Sequence, residues 1–196
     1  MSIRPVAPTF LRGFAHRVSG REDGAPRAVE SEVTALFDRF YGPLIRYLSV
    51  FRLDPADAEE IIQEVFLALF RRLNSGDSVG NAAGWLFGAA HNLGLRQSIR
   101  TRKAREVEQP ADTREVPDRA PNPEDLYAGE ELRGRLRAVV DSLPELDRRC
   151  LLLRAEGLRY RQIAAILGIS LGAVALSLSR SLARVARSAE RVRNFS

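Results

Sequence analysis

GLRYRQIAAILGISLGAVALSLSRSLARVAR, residues 157–187, decides the fold. Ala164 is small enough for two helices to approach closely, and Gly168, four residues on, can take the left-handed turn conformation. Val174, six residues further, can then pack back between the helices. Ile163, Ile166, Leu167 and Ile169 complete a small apolar core, and Ser170 is placed as the N-cap of a helix starting at Leu171. The spacing predicts a helix-turn-helix. Where such a unit binds DNA, its second helix enters the major groove. The same spacing also suits an ordinary helical hairpin.

Working outward, helical periods dominate and no stretch shows the alternation and paired turns of a sheet, so the predicted fold is all-α. The C-terminal module is expected to hold four helices, about 124–142, 144–156, 160–167 and 171–193, separated by Leu143-Pro144, Gly157 and Gly168. Before it, residues 105–123 contain Pro110, Pro117, Pro121 and Pro123, many charges and almost no large apolar side chain. They read as a flexible acidic linker.

The N-terminal module, 31–104, opens with a helix over 31–51. Val33, Leu36, Phe37, Phe40, Leu44, Ile45 and Leu48 form its apolar stripe, and Pro43 is a candidate kink. A second helix is expected from the N-cap Asp54 and Pro55, burying Ile61, Ile62, Val65, Phe66, Leu69, Phe70 and Leu73 and leaving an acidic outer face. NSGDSVGN, residues 74–81, reads as a loop. Trp85, Leu86, Ala89, Leu93 and Leu95 then mark a third helix that ends in a basic run. Residues 1–30, rich in proline and glycine, read as a loose arm with a short helix near 10–14.

With 196 residues, 45% of them hydrophobic and 28% charged, the chain can bury a core, which excludes wholesale disorder. No apolar run approaches the length of a membrane span, and Arg4, Arg12 and Arg17 interrupt any signal segment. The expected location is the cytoplasm. Cys150 has only His16 and His91 beside it as further soft ligands, so no metal site and no cofactor is expected. The net charge of +5 conceals a division: residues 105–131 carry −6 and residues 132–196 carry +8. An arginine-rich segment of that kind suits a polyanion such as DNA, or equally a solvated helical face.

DPADAEEIIQEVFLALFRRL (54–73), WLFGAAHNL (85–93) and LPELDRRCLLLRAEGLRYRQIAAILGIS (143–170), in that order and split by an acidic linker, resemble an extracytoplasmic-function (ECF) sigma factor of bacterial RNA polymerase. The resemblance implies two helical domains, sigma2-like over 31–104 and helix-turn-helix sigma4-like over 124–196. It also implies that the second helix docks on the clamp of the largest polymerase subunit through Asp57, Glu60, Gln63 and Glu64. Their spacing independently puts these four on the polar side of that helix, which also suits a merely soluble face. The loop with Asn74, Ser75, Gly76 and Asp77, and Asn92 in the following helix, would meet the minus-10 element and a flipped base. Arg96, Arg100 and Lys103 share a helix face and would follow phosphates there.

The second domain would, by the same resemblance, bind the minus-35 element and the polymerase flap. Its contact set is Arg159, Arg161, Ser170, Ala173, Ser177, Arg180 and Arg184. The sequence departs from the family in the recognition helix, with Ala173, Ala175, Leu176 and Ser177 where a small hydroxyl and basic residues are usual. Binding would then lean on backbone contacts and DNA shape. The minus-10 loop departs too, with Gly76 and Asp77 in place of an aromatic and a basic residue.

The expected function is a non-enzymatic promoter-specificity subunit, with core RNA polymerase, promoter DNA and an anti-sigma factor as partners. The alternatives are a stand-alone helix-turn-helix regulator and a helical adaptor for an anionic surface.

Overall fold

The computed structural model describes residues 25–108 and 128–193, and all regular structure in them is helical. The expected all-α class holds. The chain divides between Ser98 and Ile99 into two compact units.

The first unit is built from α1 (Ala25–Leu48), a 3-10 turn (Ser49–Phe51), α2 (Pro55–Asn74) and the first half of α3 (Ala82–Glu108). Val33, Phe37, Phe40, Leu44, Tyr47 and Leu48 of α1 are buried against Ile61, Ile62, Val65, Phe66, Leu69 and Phe70 of α2. Each such side chain contributes roughly 1.5–3 kcal/mol by leaving water. Aromatic edges lock the phase of the helices: Phe37 meets Phe66 at 5.0 Å between centroids, and Tyr47 meets Phe87 at 5.5 Å. A polar bond crosses this core, between the Tyr47 hydroxyl and Nδ1 of buried His91, 2.8 Å apart.

Several sequence expectations need correction here. The arm assigned to 1–30 is helical from Ala25, because Pro26 falls in a first helical turn, where its missing N–H costs nothing. Residues 1–24, including the short helix expected near 10–14, lie outside the described residues. Asp54 stands at the N-cap of α2 with extended backbone angles, but its side chain makes no capping bond. Asn74 is the last residue of α2 and not the first of the loop. In α3 the buried stripe is Leu86, Phe87, Ala90 and His91, whereas Trp85 is half-buried and Leu95 exposed. That stripe includes a histidine and the close-packed Gly94, which hydropathy patterning passes over. The helix also continues through Arg105–Glu108, since nothing breaks a helix before Pro110. The rest of the linker lies outside the described residues.

The second unit contains α4 (Ala128–Asp141), α5 (Glu145–Ala155), α6 (Tyr160–Leu167) and α7 (Leu171–Arg193). Its core is Leu143, Cys150, Leu153, Leu158, Ile163, Val174 and Leu178. Two left-handed glycines make the corners. Gly157 (φ 85°) ends α5, with the Leu158 N–H donating to the Leu153 carbonyl. Gly168 (φ 65°) ends α6, with the Ile169 N–H donating to the Ala164 carbonyl. From Tyr160–Leu167 into Leu171–Ser188 the chain turns through 106°, within the range of a helix-turn-helix.

Candidate nucleic-acid and protein interfaces

On α2, burial of the apolar stripe turns the opposite side outward. Glu60, Gln63 and Glu64 are exposed and Asp57 half-buried. Asp57, Glu60 and Glu64 follow one another at steps of three and four, giving a continuous acidic edge about ten ångströms long.

The loop after α2 is ordered by its own backbone. Ser75 donates its N–H and hydroxyl to the Arg71 carbonyl at 3.1 and 2.9 Å, and Gly76, in the left-handed region at φ 83°, donates to the Leu73 carbonyl. The Asp77 N–H donates to the Arg72 carbonyl at 3.3 Å, and its carboxylate lies 3.8 Å from the Arg72 guanidinium. Gly76, Asp77, Ser78, Val79 and Gly80, with Leu73, form one side of an open groove of about 320 Å³ whose other side is Val29 and Glu32 of α1. The sequence reading missed this second wall, because it placed Val29 in the arm. Asn81 closes the loop as the N-cap of α3, its Oδ1 accepting the Gly84 N–H at 3.1 Å.

Further along α3, Asn92, Arg96, Arg100 and Lys103 are exposed and follow one another at steps of four, four and three. They form one polar and cationic stripe, with Arg96 Nε donating to the Asn92 carbonyl at 3.3 Å.

In the helix-turn-helix, Arg159 and Arg161 are exposed at the start of α6, whose first turn is secured by the Arg159 N–H donating to Gln162 Oε1 at 2.7 Å. Ser170 caps α7 as expected, its Oγ accepting the Ala173 N–H at 3.1 Å, and Ala173 is half-buried. Arg180 and Arg184 are exposed. Ser177 is a correction: it was expected on the DNA-facing side, but it is fully buried and its hydroxyl donates to Asp147 Oδ1 at 2.7 Å. Its position three residues after Val174, in one stripe with Leu178 and Ser181, is the sequence signal that would have put it inside.

Asp147, on α5, is a residue that sequence reasoning missed altogether. It is buried, and Arg180 clasps it with two bonds, Nη2 to Oδ1 at 2.9 Å and Nε to Oδ2 at 3.3 Å. Burial alone would push the Asp147 carboxyl up, but the bonds from Arg180 and Ser177 and the charge of Arg180 hold it below the ordinary carboxylate value. Burial pushes the neighbouring Cys150 thiol up, so it stays neutral. Among the described residues no cluster of His, Cys, Asp and Glu could hold a metal ion.

These two units match two family models: Sigma-70 region 2 over residues 36–105 and Sigma-70, region 4 over residues 133–185. The chain is 32% identical over 181 residues to the ECF RNA polymerase sigma factor SigK of Mycolicibacterium vanbaalenii, covering 87% of this chain and 84% of that protein. The chain belongs to the ECF sigma factors. It is also 38% identical over 125 residues to SigE of Mycolicibacterium smegmatis, covering 63% of this chain but only 48% of that relative. In fold it is similar to the sigma factor RpoE solved with the anti-sigma factor NepR from Bartonella quintana. That likeness has a TM-score of 0.53 at 19% identity over 80% of this chain and 97% of that one. CnrH, solved with the cytosolic domain of CnrY, is similar at a TM-score of 0.51 and 21% identity over 93% and 96%. Among the described residues of this sigma factor, no single helix is long and apolar enough to cross a membrane.

Proposed function

We infer that this sigma factor brings core RNA polymerase to promoters. Its acidic α2 edge docks on the polymerase clamp, the loop groove and α3 stripe engage the minus-10 element, and the helix-turn-helix engages the minus-35 element. The observation that carries this reading is the acidic edge of half-buried Asp57 and exposed Glu60 and Glu64, on a helix whose other side is apolar and buried, in the unit that matches region 2. A polar edge on a rigid helix is what a specific protein contact requires. The cationic stripe of Arg96, Arg100 and Lys103 supplies phosphate contacts beside it, independent of base sequence.

The groove of about 320 Å³ between the loop and α1 is the candidate seat for a single unstacked base, and holding such a base out of the stack is one physical way to open a duplex. Bond-forming chemistry belongs to the polymerase. An anti-sigma protein that covers these surfaces is part of the same reading, in line with the solved complexes of RpoE with NepR and of CnrH with CnrY.

The test is transcription in vitro with core RNA polymerase on fragmented genomic DNA. Discrete starts that require the sigma factor, and that vanish for a folded Glu60→Arg, Glu64→Arg variant, are the expected result. DNA binding without any affinity for core would instead identify a stand-alone regulator.

A further inference from the structure

The start of α7 is unusual for a helix that enters DNA. Burial of Val174, Ser177, Leu178 and Ser181 against the rest of the unit fixes which side faces outward. That outward side is Leu171, Gly172, Ala175, Leu176 and Ser179 over the first two and a half turns. Leu171 is 47% exposed and Leu176 57%. No amide, carboxylate or cation stands among them. The first cation on the helix, Arg180, is already clasped by Asp147.

This composition excludes the bidentate and carboxylate pairings with base edges and leaves the Ser179 hydroxyl as the one polar group of the strip. Bidentate arginine or lysine to guanine, asparagine or glutamine to adenine, and a carboxylate to cytosine all need groups that this surface lacks. What remains for an aliphatic surface in the major groove is the one apolar feature that bases display there, the thymine C5-methyl group. The occupant of the surface is nonetheless a polyanion, by charge. Exposed Arg159 and Arg161 stand at the start of α6, and exposed Arg184 and Arg187 continue along α7 beside the apolar strip. A protein partner that wanted only the leucines would gain nothing from these arginines.

Resting on the promoter-binding reading above, we propose that Leu176 and Ala175, with Leu171, read thymine methyl groups in the minus-35 element, so that this sigma factor selects its upstream element by apolar contact. Arg184 and Arg187 hold the flanking phosphates, and Ser179 is the sole exposed hydrogen-bonding side chain in the strip. Leu182, 56% exposed, stands six residues and about 9 Å along the axis beyond Leu176, past the end of the strip, and is outside the reading surface.

The experiment uses holoenzyme reconstituted from core polymerase and the full chain, on promoter duplexes recovered by mapping its transcript starts. Thymines of the upstream element are replaced one at a time by deoxyuridine, which removes the methyl group and leaves every hydrogen-bonding group in place. Loss of one buried methyl predicts about a 4-fold fall in affinity at each contacted thymine. Leu176→Ala should lower affinity for the thymine duplex and flatten the response to deoxyuridine. Leu182→Ala, a change of the same size at an exposed site on the same helix, should leave that response intact. Replacing a contacted thymine pair by a cytosine pair should be partly rescued by 5-methylcytosine.

Transcription that proceeds with indifference to deoxyuridine, or upstream elements without thymine, would overturn the methyl readout while leaving the sigma function standing, and the leucine face would then belong to a protein partner. Failure of the folded chain to bind core or to start transcription would overturn both.

Discussion

Asp147 and Arg180, thirty-three residues apart, are joined by two hydrogen bonds of 2.9 and 3.3 Å that tie α5 to α7. Ser177 donates a third bond to the same carboxylate, and Ser181 donates to the Asp147 and Ser177 carbonyls at 3.4 and 2.9 Å. The phase of α7, and so the identity of its outward residues, is thereby set by polar groups as well as by Val174 and Leu178.

Asp147→Ala is expected to destabilise the C-terminal unit by roughly 1–3 kcal/mol, since the buried hydroxyl of Ser177 loses its acceptor along with the charged contact. Ser177→Ala removes one neutral-to-charged bond and should cost less. Denaturant unfolding of both variants and of the double variant checks this. The double should fall short of the sum of the singles, because the two residues share one interaction.

The same carboxylate gives an acid dependence with a definite sign. Its folded value is depressed, so the charged pair stabilises the fold above the unfolded carboxylate value of about 4, and the contribution is lost as pH falls through the lower folded value. The stability gap between wild type and Asp147→Asn should therefore be flat from pH 7 to about 5 and shrink below about 4. A gap that widened on acidification would contradict the assignment.

Two helical glycines should respond to alanine in opposite ways. A Cβ at Gly94 would stand 3.0 Å from Leu48 Cδ2 and 3.1 Å from two carbons of the Phe51 ring, both buried, whereas at Gly134 nothing lies within 4 Å. Gly134→Ala gains helix propensity, up to about 1 kcal/mol. Gly94→Ala gains the same propensity but overpacks a core that resists, at about 1–3 kcal/mol, so its midpoint should drop. Thermal unfolding of the two variants measures the contrast.

The elements that the sequence made legible are those whose signals are local. Gly168, Ser170 and the Leu143-Pro144 break sit where turn and cap chemistry put them, and the helices at 160–167 and 171–193 have the expected bounds. What stayed hidden depends on residues far apart in the chain. Asp147 reads as a surface acid in LPELDRRC until α7 folds back over it, and Ser177 reads as a surface hydroxyl until its acceptor is known. Val29 and Glu32 become a wall of the loop groove only through the packing of α1 on α2. In α3, His91 serves as a core residue because Tyr47 supplies its hydrogen bond, a pairing across forty-four residues.

Asn81 offers a way to separate polymerase binding from promoter opening. Its side chain folds back over the first turn of α3 to accept the Gly84 N–H, and its amide lies in the space that a Cβ at Gly84 would take. Asn81→Ala loses an N-cap worth about 1 kcal/mol and frees the C-terminal end of the loop that borders the groove. The acidic edge of α2, by contrast, is fixed by its own buried stripe and does not depend on this cap. Core affinity should therefore stay within about twofold of wild type, while the rate of forming a heparin-resistant open complex should fall severalfold. Asn81→Asp, which keeps an acceptor at the cap, should largely restore it. Equal losses in core affinity and in opening for Asn81→Ala would mean that the cap supports the whole unit instead of the loop alone.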